Sequence, residues 1–158
     1  LSGEQIAAVR DKLYGGLMLQ LGTTPVGLRV DRWLWETCPE LRDVQESATR
    51  QLLADNIQLL DPDVRAMTPP RPLTASLAMN AATAAFWARI WSEPSLVEPY
   101  RPSGSLRDGG ALLRLWDLLP DEPVRDRELV DAWADMLGIA GWYEWRPFPT
   151  PGASPPAA

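Results

Sequence analysis

Histidine is absent from this chain of 158 residues, and its absence limits the available chemistry more than any motif enlarges it. Imidazole is the commonest general base and the commonest metal ligand. Without it, neither a Cys–His dyad nor a Ser–His–Asp triad can be assembled from this chain alone. Cys38 sits between Thr37 and Pro39 at an expected helix start, a place where thiol pKa values fall. No imidazole exists to serve it, so a buried or incidental thiol is the expectation. One cysteine and no histidine leave oxygen donors and a single thiolate, a set unsuited to structural zinc. No metal and no cofactor is therefore expected. Lys12 is the only lysine, so a Schiff-base or phosphate-loop lysine could be no other residue.

Carboxylates gather late in the chain, at Asp117, Asp121, Glu122, Asp126, Glu128, Asp131 and Asp135. Paired acids can cleave glycosidic bonds without histidine. That keeps an enzyme as the alternative function: a carboxylate-based hydrolase, or a helical fragment of an enzyme whose catalytic residues lie elsewhere. Glu128, Asp131 and Asp135, however, recur at helical spacing opposite Leu129, Trp133 and Met136, which describes a solvated helix face. Residues 115–142 also have the outline of a helix-turn-helix, but its second helix would carry those acids towards phosphates. With a net charge of −6, a nucleic-acid partner is excluded, and an anionic membrane surface is a poor match.

Aromatic residues are better suited to recognition. There are eight tryptophans. Trp33, Trp87 or Trp91, Trp116 and Trp133 fall on apolar helical faces and are expected in the core. Trp35, two residues from Trp33, cannot share its face. Trp142, Tyr143, Glu144 and Trp145 crowd one extended segment and form the candidate binding site. Alternation places Trp142 and Glu144 on one side, Tyr143 and Trp145 on the other. One side would pack back onto the protein, while the other could stack a sugar, a proline-rich peptide or a cation. The competing expectation is an arm clamped wholly over the domain.

The elements that must position these groups read as helical throughout. Val9, Leu13, Leu17 and Leu21 follow helical periodicity up to a stop at Gly22, with a kink or close crossing at Gly15–Gly16. Thr24–Pro25 predicts a new helix start, with Val26, Val30, Trp33 and Leu34 inward and an end near Cys38. Leu41, Val44, Ala48 and Leu52 form the expected inner face of the next helix. Asp61–Pro62 starts a short turn, and Thr68 to Pro72 is a rigid break with polyproline character. The alanine-rich stretch from Leu73 to Trp91 predicts a central, closely packed helix; Asn80 and Arg89 within it argue against a membrane span. Residues 92–105 are expected to be irregular, either functional or a hinge. Ser105 and Asp126 are candidate helix caps, and Gly138 a C-terminal cap.

The resulting expectation is an all-α bundle of about five to seven helices in a single domain. It would span residues 1–146, with room for a sub-boundary at 92–105, a short extended arm, and a disordered Pro/Ala-rich tail at 147–158. Its expected role is a non-catalytic binding or scaffolding module, alone or within a larger protein, with a protein or peptide partner. A lone cysteine and the lack of a signal peptide at Leu1 favour the cytoplasm.

Overall fold

The computed structural model describes residues 3–146, so the expected tail at 147–158 lies outside the described residues. Within them the chain is all-α. Six α-helices follow one another: α1 (Gly3–Thr37), α2 (Arg42–Ile57), α3 (Pro62–Met67), α4 (Pro70–Trp91), α5 (Ser105–Leu118) and α6 (Asp126–Leu137). Short 3-10 turns join them, and no helix among the described residues is long and apolar enough to cross a membrane.

The alanine-rich α4 is the centre. Ala75, Ala78, Ala81, Ala82 and Ala84 are all buried, together with Phe86 and Trp87. Small side chains let a neighbouring backbone come close. That neighbour is α5, whose Gly109 lies so near that a Cβ built there would stand 2.7 Å from both the Ala81 Cβ and the Ala82 nitrogen. Along α5, Ser105, Gly109, Leu112, Leu113 and Trp116 form the buried stripe, and α6 adds Leu129, Val130, Trp133 and Ala134. Both stripes keep the spacing of one helical face. Gly138 ends α6 in the left-handed region, at φ 69°, as a C-terminal cap requires. The short turn expected at Asp61–Pro62 is the helix α3, which Asp61 caps, accepting from the Asp63 and Val64 nitrogens at 2.8 and 3.4 Å.

Several expectations fail, each for a physical reason. Helix α1 does not stop at Gly22 and restart at Thr24; it runs unbroken for 35 residues with Pro25 inside. Pro25 costs a backbone hydrogen bond, but it lies on the buried stripe Leu17–Leu21–Pro25–Leu28, and the Trp116 indole donates to its carbonyl at 2.9 Å. Thr24 is therefore an interior helical residue and not a cap, and the preceding Thr23 donates its hydroxyl back to the Leu19 carbonyl at 2.7 Å. Gly15 and Gly16 face open space, so the close crossing belongs to Gly109 and not to them.

Val30 and Trp33 point outward, 51% and 58% exposed, whereas Trp35 turns in to meet Trp87 and Trp91. The inner face of α2 is likewise rotated. Leu41, Val44 and Leu52 are exposed, and Thr49 and Leu53 are buried in their place. Polar contacts hold α2 down. Arg42 donates to the Trp35 carbonyl at 2.8 Å, Gln45 donates to the Asp31 carbonyl at 3.0 Å, and the Arg50 guanidinium lies 4.6 Å from the centre of the Trp91 ring.

Pro70 and Pro72 begin α4 and do not break the chain; proline is tolerated in a first turn, where the amide is unpaired anyway. The expected irregular stretch 92–105 contains a seven-residue 3-10 helix, Pro94–Tyr100, lying against α4. It buries Tyr100, and burial pushes that phenol up to about 12. Ser105 and Asp126 are first helical residues, not caps.

Candidate functional site: an aromatic groove and a polar cleft

The four candidate binding residues do not act as one surface. Trp142 closes the 3-10 turn Ala140–Trp142, and Tyr143 continues in extended backbone at φ −143°, ψ 166°. Extended geometry sends neighbours to opposite sides. Tyr143 and Trp145 both turn to α6, where the phenol and the indole donate to the same Asp131 oxygen at 2.6 and 2.7 Å. Their rings meet edge to face at 5.9 Å, and Arg127 covers Trp145. Glu144 is exposed and accepts from Arg146 Nε at 2.8 Å. Trp142 goes the other way and stacks on Tyr14 of α1, with centroids 6.2 Å apart.

Asp131 therefore corrects the reading of its helix face. It is not a merely solvated acid but the anchor of the arm. Burial alone would raise its carboxyl; the hydrogen bonds from Tyr143 and Trp145, with Arg127 nearby, hold it below the ordinary value instead. Tyr143 is pushed well above a normal phenol by burial and by Asp131.

Trp142 forms one wall of a groove of about 610 Å³. Leu13 and Tyr14 come from α1, Met67 from the end of α3, and Pro69 and Pro72 from the approach to α4 and its first turn. Met67 is 78% exposed. Two cations, Arg10 and Arg71, also line this groove. Arg10 pairs with Asp11, while Arg71 has no carboxylate partner among the described residues.

A second concavity, of about 490 Å³, opens between α1, α2 and α4. Its character is the opposite. Asp31, Asp55, Asn56, Thr83 and Asn80 line it, with Gln20 and Gly27 from α1. Burial raises the Asp31 carboxyl above its ordinary value, opposed by a hydrogen bond from Gln45. Asn80 is only 5% exposed, and its carbonyl accepts from Gln20 at 2.7 Å. Reading the sequence did not find this cleft. The available signal was Asn80 itself, the one amide side chain in an alanine-rich helix, because a buried amide requires polar company.

The late carboxylates do not form a reactive pair. Asp117 binds Arg89, Asp121 binds Arg32, and Glu128 binds Arg125. Asp126 takes Arg29 at 2.6 Å; this arginine is nearly buried and also donates to the Pro120 and Glu122 carbonyls. Arg29 thereby ties α1 to the connection between α5 and α6. Among the described residues no three potential metal-ligating side chains gather. Cys38 is half-buried beside Thr37, ahead of the 3-10 turn Pro39–Leu41. No protein-family model, no curated protein and no solved structure matches this chain.

Proposed function

We propose that this chain is a non-catalytic helical binding or scaffolding module whose aromatic groove takes a peptide segment of a partner protein. The carrying observation is the stack of Trp142 on Tyr14 beside Pro69 and Pro72, an exposed apolar groove with the uncommitted cation Arg71 on its wall. Aromatic side chains in apolar grooves supply most of the energy of many interfaces. Arg71 selects the charge of the occupant: a peptide with a large apolar side chain next to an Asp or Glu. The division of the arm supports this reading. Tyr143 and Trp145 lock the segment to Asp131 and leave Trp142 to face the groove.

The enzyme alternative has less support, since Asp117, Asp121, Asp126, Glu128 and Asp131 are all occupied by arginine or by the arm. Net charge −6 argues against a nucleic-acid partner. The unpaired Cys38 fits a reducing compartment such as the cytoplasm.

Selection of a random linear peptide library on the intact chain, counter-selected on Trp142→Ala, tests this function. Enriched peptides should pair a large apolar residue with an acid. They should bind Trp142→Ala about thirtyfold more weakly, the equivalent of about 2 kcal/mol, under conditions where the variant remains folded by circular dichroism. Arg71→Glu should remove the preference for acids. A selection that enriches nothing, or peptides that bind Trp142→Ala equally well, would refute the proposal.

A further inference from the structure

Helix α1 carries two apolar stripes, and the fold uses one of them. Leu17, Leu21, Pro25 and Leu28 are buried against the rest of the chain. On the opposite side of the helix, Leu19, Val26, Val30 and Trp33 follow one another at steps of seven, four and three residues, the repeat of a helix–helix seam. Val26 is half-buried, but Leu19 is 67% exposed and Trp33 58%. The apolar face that Val26, Val30 and Trp33 form in the sequence is real; no other part of the chain, among the described residues, covers it.

A helix face that meets water normally carries charge. Here no charged residue occurs from Leu13 to Leu28, although Gly15, Leu19, Gly22 and Thr23 within that span are exposed. Depletion of charge marks the core of an interface. The seam is also uneven. A Cβ added at Gly15 or Gly22 would meet nothing within 4 Å, so the first half of the seam has a low profile. Val30 and Trp33 stand out from its second half.

The charges at the two ends select the occupant. Lys12 lies on the same stripe, seven residues before Leu19, and Glu36 and Glu40 lie beyond Trp33. All three are exposed, and no ion pair among the described residues uses them. A second copy laid antiparallel would bring its Glu36 and Glu40 towards Lys12. It would also set its Val30 and Trp33 against Gly22 and Leu19. A parallel copy would oppose like charges and place bulk on bulk. A patch that complements itself in reverse is what a twofold contact requires.

We propose that this chain forms a twofold dimer through the exposed face of α1, with the two helices antiparallel and Val26 near the axis. The seam from Gly15 to Thr37 is about 33 Å long at 1.5 Å per residue. One helix pair of that length is at the small end of specific interfaces, about 1,200 Å² or less in total, so monomer and dimer should exchange with concentration. The dimer does not depend on the aromatic groove.

Sedimentation velocity of the intact chain, from about 10 to 500 µM, reads the association by mass action. The mass should rise from one copy towards two and no further. Trp33→Glu should weaken association about thirtyfold or more while its circular dichroism stays that of the folded protein. Val30→Glu should do the same and serves if Trp33→Glu fails to fold. Lys12→Glu should weaken the dimer about fivefold at low salt, and adding Glu36→Lys and Glu40→Lys should restore it. The proposal is overturned if the protein stays monomeric throughout or associates beyond two copies. It is equally overturned if Trp33→Glu and Val30→Glu both dimerise as the wild type does, if Trp142→Ala abolishes the association instead, or if the reversed charges do not restore it.

Discussion

Helix α4 meets its neighbours in two different ways on its two sides. Towards α5 it offers Ala81 and Ala82, against which Gly109 packs backbone to backbone. Towards α1 and α2 it offers Asn80 and Thr83 across an open cleft. The first contact is dry and leaves no room for a methyl group. The second combines buried leucines of α1 and α2 with amide contacts from Gln20 and Asn56 to Asn80, and leaves an open cleft beside them. One helix thus separates a closely packed side of the protein from a side that is open to solvent.

Two glycines, one on each side of α4, give the largest expected difference. Gly109→Ala would place a methyl group 2.7 Å from the Ala81 Cβ and from α4 backbone. Overpacking of this kind should destabilise the protein by about 1–3 kcal/mol. Gly27 also lies in a helix, but on the cleft wall with nothing within 4 Å of a built Cβ. Gly27→Ala should therefore stabilise by about 0.5–1 kcal/mol through helix propensity and reduced freedom of the unfolded chain. Chemical denaturation of both variants checks the pair. Shifts of the same sign would mean that the cleft and the crossing are packed alike.

A smaller effect separates two aspartates. Burial raises Asp31 above its ordinary value of 3.8, so its ionised form is disfavoured in the folded state. Its contribution costs stability increasingly as pH rises past 3.8 and through the raised value. Asp131 is held below 3.8 with the arm bound to it, so its contribution is present above that value and is lost as pH falls through the lowered one. Difference curves of denaturation midpoint against pH, wild type minus Asp31→Asn and wild type minus Asp131→Asn, should slope in opposite directions across the acid range. Parallel slopes would contradict the assignment of one acid to an unpaired cleft and the other to a hydrogen-bonded anchor.

What the sequence made legible was local. Alanine crowding identified α4 as central, Asp61 and Gly138 identified helix ends, and strand-like alternation correctly separated Trp142 from Tyr143 and Trp145. What it hid depended on distant partners. Pro25 looks like a helix start until the buried Trp116 indole is seen on its carbonyl. Trp33 and Trp35 lie two residues apart, and only the positions of Trp87 and Trp91 decide that Trp35 is the one turned in. Around α2 the apolar residues Leu41, Val44 and Leu52 suggest an inner face, but the buried residues are Thr49 and Leu53, and Gln45 reaches the Asp31 carbonyl of α1. Periodicity locates apolar stripes; it does not say which stripe a polar site will displace.

Residue-resolved amide hydrogen exchange tests the division between dry centre and polar edge most directly. Amides of α4 from Ala78 to Trp87 and of α5 from Gly109 to Trp116 should exchange only through global unfolding, with the full free energy of the protein. Amides of α2 between Thr49 and Asn56 should exchange through a local opening at lower free energy, since polar contacts and one buried leucine hold that helix. Exchange of α2 at the same free energy as α4 would contradict the account, because the helix over the cleft would then belong to the same rigid unit as the centre.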